Sequence, residues 1–408
     1  MRLLYRGPMA RIARAVLLLS LASCFTAVAA GPADAAQRRV PFGFFGVTLS
    51  TQLTNARVVP NLLLDQQIGV MAANGVESAR LIVDWRSLEP ARGTYSFAVL
   101  DRFVASASLR GLRFLPNVSA SPRWASERPG TGEYWRSPPK NVADYAAVMR
   151  QLVLRYGPKG SFWAQNPAIP KVPIRAWQIW NEPTAPWYWA RDNYAPSYAR
   201  LLKAAYRAIH RADPGAKVVS GPLVTAKTGY PPWTALRDLY RQGARRFFDV
   251  LAVHPFTNHP SAKVAVRQTV EVVRRVRREM RRRGDSRKPV ILTEVTWPAA
   301  KGRVPSGAVN RLATTESGQI ARMREAYRQL ARNRRKMRIS QVYWFTWASP
   351  YDNRTALSTM QFRYTGLNRW SGDVGGSFTP LPVLKAYADL AATYEGCRKN
   401  DKAKCVVP

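Results

Sequence analysis

Histidine and cysteine are scarce in this chain, with three of each in 408 residues. His210, His254 and His259 have no cysteine at a ligand spacing, so no metal site is expected, and no cofactor either. Long apolar runs are also missing. The stretch from Ala15 to Ala22 is well short of the roughly 20 residues that a membrane helix needs. No low-complexity linker divides the chain, and no internal repeat occurs beyond a strand-helix unit.

The short apolar run follows Arg2, Arg6, Arg11 and Arg14 and precedes small residues, the pattern of a secretory signal. Ala33-Asp34-Ala35 offers a cleavage site, so residues 1–36 are set aside, a start near Gln37 is expected, and the protein is expected to be secreted. An alternative reading takes Leu21-Ala22-Ser23-Cys24 as a lipoprotein box, with the chain anchored through a lipid on Cys24. Cys397 and Cys405 lie in a hydrophilic tail, residues 396–408. In an oxidising compartment they would close a small disulfide loop; two free thiols are the other reading.

Negative charge is scarce as well: 25 acidic residues stand against 63 basic ones, for a net charge of +38. Such a balance raises the question of nucleic acid, since cations that neutralise phosphates supply most nonspecific affinity. The densest run, Arg274, Arg275, Arg277, Arg278, Arg281, Arg282 and Arg283, has helical period, as does Arg322 to Arg338. Both read as solvated outer faces of helices, and no recognition motif accompanies them, so no specific nucleic-acid partner is expected. The charge suits association with an anionic cell envelope, or capture of an anionic carbohydrate by long-range attraction.

What the chain does have is a regular series of short apolar runs. Residues 44–48, 79–83, 113–117, 176–180, 217–220, 248–253, 289–293 and 341–345 read as eight strands, separated by helical patterns such as 62–73, 97–110 and 196–212. Short strands apolar on both faces, alternating with helices, predict an α/β fold: a (β/α)₈ TIM barrel forming a single domain over residues 40–395. In such barrels the reactive groups sit where strands end. The polar residues there are Arg80, Asn117, Asn181 with Glu182, His254 and Glu294, with Trp347 after the eighth strand. The long loop from Ser119 to Ala143 is expected to wall a binding site over that same face.

Cleaving a glycosidic bond takes a proton for the leaving oxygen and electron density on the opposite face of the anomeric carbon, which two carboxyl groups can supply. Glu182 and Glu294 end the fourth and seventh strands, opposite one another in an eight-membered ring. Trp180-Asn181-Glu182-Pro183 and Ile291-Leu292-Thr293-Glu294 carry a resemblance to clan A retaining glycoside hydrolases, most like families 39 and 5. Arg80, Trp85, Glu89-Pro90, Ser121-Pro122-Arg123-Trp124-Ala125 and Trp344 or Trp347 extend it over nearly the whole chain after residue 36.

The resemblance implies double displacement, with Glu294 as nucleophile and Glu182 as acid/base. It further implies that Asn181 contacts the sugar 2-OH, that Arg80 keeps Glu294 ionised, and that Asn117, His254, Trp124, Trp344 and Trp347 contribute to substrate binding. One departure stands out. Where relatives carry His-x-Tyr after the sixth strand, with the tyrosine hydroxyl on the nucleophile, this chain has His254-Pro255-Phe256. Tyr230, Tyr343 or His254 is then expected to fill that role, or else the nucleophile is tuned differently. A barrel that binds glycan without cleaving it is the alternative function.

Overall fold

The computed structural model describes residues 38–49, 53, 58–225, 230–305, 312–350 and 357–396. The expectations for residues 1–36, for Cys24, and for Cys397 and Cys405 lie outside these residues. Among the described residues, no helix is long and apolar enough to cross a membrane.

The chain winds as β1 (Phe45–Thr48), α1 (Asn61–Ala73), β2 (Ser78–Asp84), α2 (Trp85–Leu88), α3 (Ala98–Leu109), β3 (Arg113–Ser119), α4 (Val142–Tyr156), α5 (Ser161–Gln165) and β4 (Ala176–Ile179). It continues with α6 (Tyr194–Ala212), β5 (Lys217–Val219), β6 (Leu223–Val224), α7 (Pro232–Arg241), β7 (Leu251–His254), α8 (Ala262–Arg282), β8 (Val290–Val295), α9 (Glu316–Met337) and β9 (Ile339–Phe345). All nine strands are parallel, in the order β5-β4-β3-β2-β1-β9-β8-β7-β6.

Nine strands fill eight positions because β5 and β6 share the fifth. β5 pairs with β4 and β6 pairs with β7, and the ring closes between them through a bridge of Val219 to Val250, with Ser220 N–H donating to the Val250 carbonyl at 3.0 Å. The break at Ser220-Gly221-Pro222 has local causes. Pro222 has no N–H to give a ladder. A side chain on Gly221 would lie 2.8 Å from the Ile179 carbonyl and from Pro183, and 2.9 Å from the Tyr198 hydroxyl. The expected sixth strand also begins later, at Leu251.

Period 2 sorts the strand side chains into two layers. Leu115, Val219, Val250, Ala252, Ile291 and Tyr343 fill the ring's interior. Gly46 makes room there, since any Cβ would stand 2.5 Å from the Tyr343 ring. The other face packs on helices whose apolar stripes meet it. In α8, Val266, Val270, Val273, Val276 and Met280 are buried at helical spacing, capped by Ser261, while Arg267, Arg274, Arg275 and Arg278 face water. Arg277, expected on that outer face, is instead buried, with its Nη1 donating to the Lys288 carbonyl at 2.7 Å. Each such aliphatic side chain contributes about 1.5–3 kcal/mol on burial. Beyond β9, the sequence reading missed a three-stranded sheet of β10 (Ala348–Pro350), β11 (Asn368–Trp370) and β12 (Phe378–Pro380), followed by α10 (Pro382–Glu395).

Candidate active site

Glu182 and Glu294 meet at the C-terminal rim of the ring. One oxygen of each, together with one nitrogen of His254, lies in a cluster whose members are all within 4.8 Å of one another. Both carboxyl groups are nearly enclosed, 6% and 7% exposed.

Each glutamate is delivered by an irregular piece of backbone. Beyond β4 the chain adopts left-handed conformations at Trp180 (φ 67°) and Glu182 (φ 38°), which cost a non-glycine residue of the order of 1–3 kcal/mol each. Surrounding bonds hold them there: Trp180 N–H donates to the Val118 carbonyl at 3.0 Å, Asn117 Nδ2 to the Trp180 carbonyl at 2.8 Å, and Trp180 Nε1 to the Tyr188 carbonyl at 2.7 Å. On β8, Leu292 pairs with Val342 but Val295 pairs with Trp344, so three steps on one strand oppose two on the other. That bulge falls at Thr293-Glu294 and re-aims the side chain at the rim.

Arg80, fully buried, is the hub. Its Nη1 donates to Glu294 Oε1 at 2.9 Å, its Nη2 to Asn181 Oδ1 at 2.7 Å, and its Nε to Gln178 Oε1 at 2.7 Å. Asn181 therefore accepts from Arg80 with its carbonyl and keeps its NH₂ to donate. Gln178 in turn donates to the Ser220 carbonyl at 3.2 Å, tying the hub to the break in the fifth strand.

His254 touches Glu182: Nδ1 lies 2.7 Å from its Oε1, while Glu294 Oε2 is 3.7 Å away. The other ring nitrogen, Nε2, lies 2.9 Å from Thr293 Oγ1. Burial pushes His254 down to about 3, with Arg80 adding to the effect and Glu294 opposing it, so the ring is neutral at pH 7. Trp187, 40% exposed, donates Nε1 to Glu182 Oε2 at 3.3 Å.

The two carboxyl groups are separated by their surroundings. Burial pushes Glu182 up to about 7, against smaller opposing effects of Trp187 and Arg80. Burial also raises Glu294, but there the adjacent Arg80 guanidinium pulls it back. The cation bonded directly to Glu294 favours its charge, and Glu182, with no cation bonded to it, is the better placed of the two to hold a proton. Glu182, His254 and Glu294 are also a donor set of metal-ligand type. The Arg80 charge on Glu294 works against a divalent cation there.

The expected aromatic contacts need revision. Trp344 and Trp347 are fully buried, with their indole N–H groups donating to the Thr365 carbonyl at 2.9 Å and Gln67 Oε1 at 3.0 Å, so neither faces the rim. Alternation on β9 explains it: Tyr343 points into the ring, so Phe345 does too and Trp344 points out. Half-buried Phe345 packs on Phe362, which meets Phe256 beside His254. Asn117 is buried, with its NH₂ committed to the Trp180 carbonyl, and braces the strained turn. Trp124 lies in the predicted wall, donating to the Glu89 carbonyl at 3.1 Å beneath Arg92.

Neither tyrosine proposed to replace the missing hydroxyl is at hand. Tyr230 bonds Asp238, and Tyr343 bonds Ser78 Oγ at 2.7 Å inside the ring. The nearby phenol is Tyr188, raised well above its ordinary range by burial and by the charges of both Glu182 and Glu294. Tyr188 and Trp180 also line an adjoining cavity of about 500 Å³, with Asp84, Arg86, Ser119 and Trp135. The sequence reading singled out neither Gln178 nor Tyr188.

Comparison with known proteins agrees with this fold. The model of glycoside hydrolase family 42, described as beta-galactosidase, matches residues 55–130. No curated protein matches. Among solved structures, a family 39 glycoside hydrolase from Bacteroides cellulosilyticus WH2 superposes with a TM-score of 0.61 at 18% identity, covering 87% of this chain and 64% of that one. The chain thus spans less than two thirds of that enzyme. A monomeric beta-xylosidase from Caulobacter crescentus CB15 gives 0.56 at 16% identity, covering 88% and 69%. A GH5_18 protein from Bifidobacterium longum subsp. longum ATCC 55813, in complex with Manb1-4GlcNAc, gives 0.55 at 15%, covering 86% and 78%. The fold is the (β/α)₈ barrel of these glycoside hydrolases.

Proposed function

We propose that the chain is a retaining glycoside hydrolase with Glu294 as nucleophile and Glu182 as acid/base. One observation carries the reading: an oxygen of one carboxyl group lies within 4.8 Å of an oxygen of the other, with a guanidinium on one and burial raising the other to about 7. Retaining enzymes hold this pair about 5–5.5 Å apart, whereas inverting enzymes need about 6.5–9.5 Å to admit a water.

In the first step Glu294 attacks the anomeric carbon while Glu182 gives its proton to the departing oxygen, leaving a glycosyl ester on Glu294. In the second, Glu182 takes a proton from water, whose oxygen displaces Glu294 and releases the sugar. His254 can follow both states of Glu182. When Glu182 is protonated, its O–H faces Nδ1 and Nε2–H donates to Thr293 Oγ1; when it is ionised, Nδ1–H donates to it and the Thr293 hydroxyl turns to donate to Nε2. The NH₂ of Asn181 is free to donate to a sugar hydroxyl beside Glu294. Exposed Trp187 offers a flat face at the mouth.

The substrate in this reading is a β-linked oligosaccharide or polysaccharide, and secretion, suggested by residues 1–36, belongs to the same proposal. The test is the product's configuration. Proton NMR of an aryl β-glycoside digest is expected to show the β-anomer first, with the α-anomer appearing by mutarotation; α first would refute retention. The second reading, glycan binding without cleavage, draws on Phe256, which leaves Glu294 without the usual tyrosine. It predicts saturable binding of a glycan with no product.

A further inference from the structure

The surplus positive charge is unevenly placed. Around the mouth, arginines paired with carboxylates predominate, Arg86 with Asp84, Arg92 with Asp144, Arg136 with Glu133, Arg191 with Glu127 and Arg303 with Glu316, with exposed Arg123 and Arg128 as exceptions. At the other end of the barrel, where helices turn into the starts of β7, β8 and β9, the pattern reverses. Arg246, Arg282, Arg287, Arg335, Lys336 and Arg338 are exposed, and none has a carboxylate partner among the described residues. The acids nearby are already engaged: Asp285 by Lys288 and Tyr240, Glu279 by Arg237 and Arg283, and Asp249 by His210.

These cations belong to one continuous surface. Arg281 Nη2 donates to the Lys336 carbonyl at 2.9 Å, joining the ends of α8 and α9. Arg245 Nη1 donates to the Arg283 carbonyl at 2.6 Å, and Lys288 donates back to the Arg245 carbonyl, joining the turn before β7. The crowding of charge is felt inside: burial, then Arg281 and Arg338, bring Arg277 down to about 10.

Uncompensated positive charge concentrated on a braced surface fits an anion of repeating charge, and the guanidinium fork suits phosphate. The surface has nothing to insert into a bilayer, because the exposed large apolar side chains, Leu62, Val70, Leu109, Leu154, Trp187 and Val374, all lie outside these turns. It has no free ring on which to stack a base either, since Lys203 and Arg207 already cover Phe247.

We propose that this basic end is a docking surface for a linear polymer of phosphodiester-linked polyols or sugars, which it holds while leaving the mouth at the opposite end free. The test is fluorescence anisotropy with labelled poly(glycerol phosphate) over a salt series, using the full chain. Replacing Arg282, Arg287, Arg335, Lys336 and Arg338 together by Gln is expected to weaken binding about tenfold or more and to flatten its salt dependence. A dispersed variant of equal charge, with Arg128, Arg150, Arg200, Arg267 and Arg324 changed to Gln, is expected to lose less than about threefold. Thermal unfolding should be the same in all three proteins. Equal losses in both variants, no binding by the parent chain, or tighter binding of single-stranded DNA or of phosphatidylglycerol vesicles at the same salt would overturn the proposal.

Discussion

Glu294→Gln is expected to lower kcat on an activated aryl glycoside by about a thousandfold or more, because an amide cannot form the glycosyl ester. The substitution is chosen to leave the site standing. Glutamine keeps the shape and still offers an oxygen to Arg80 Nη1, now 2.9 Å from Glu294 Oε1, so the bonds from Arg80 to Asn181 and Gln178 should persist. Thermal unfolding within a few degrees of the parent would show that the loss is chemical. Activity within tenfold of the parent would remove Glu294 from the reaction.

Glu182→Ala should behave differently, because its two duties fall in different steps. With a poor leaving group, losing the acid is expected to slow the first step by about 10²–10⁴-fold; with dinitrophenolate, which departs unaided, that step should survive and the second become limiting. A small anion such as azide, needing no general base, should then restore turnover and yield a β-glycosyl azide. The parent's pH profile follows from the same group. Glu182 must carry its proton in the free enzyme, so kcat/KM is expected to fall as pH rises through about 7, and this limb should disappear in Glu182→Ala. An unchanged limb, or no rescue by azide, would assign the proton transfer elsewhere.

Much of this was legible in the sequence because parallel strands buried on both faces are short apolar runs, and eight were visible in order. The polar residue ending such a run has few places to go but the rim, which is why Glu182, His254 and Glu294 emerged together. Arg80, expected at a strand end, is instead the third residue of β2 and reaches Glu294 from within the ring. What was hidden depends on ring closure. Gln178 reads as an interruption in an apolar run until Arg80 arrives from β2, and Tyr188 reads as a loop aromatic until the turn at 180–182 folds it beside the carboxyl groups. Trp344 and Trp347 lie away from the rim for a simpler reason: period 2 from Tyr343 makes Phe345 the inward residue, a register that residue type alone does not reveal. The split of the fifth strand rests on the backbone crowding around Gly221, which a run of small residues does not announce.

The most direct test of the central claim is covalent. A 2-deoxy-2-fluoro glycoside with a good leaving group, incubated with the full chain, should inactivate it as a glycosyl ester accumulates, because fluorine slows the second step more than the activated first. Mass spectrometry of a peptic digest is predicted to find the added sugar on the peptide containing Glu294. Label on any other carboxylate, or inactivation with no label at all, would contradict the account.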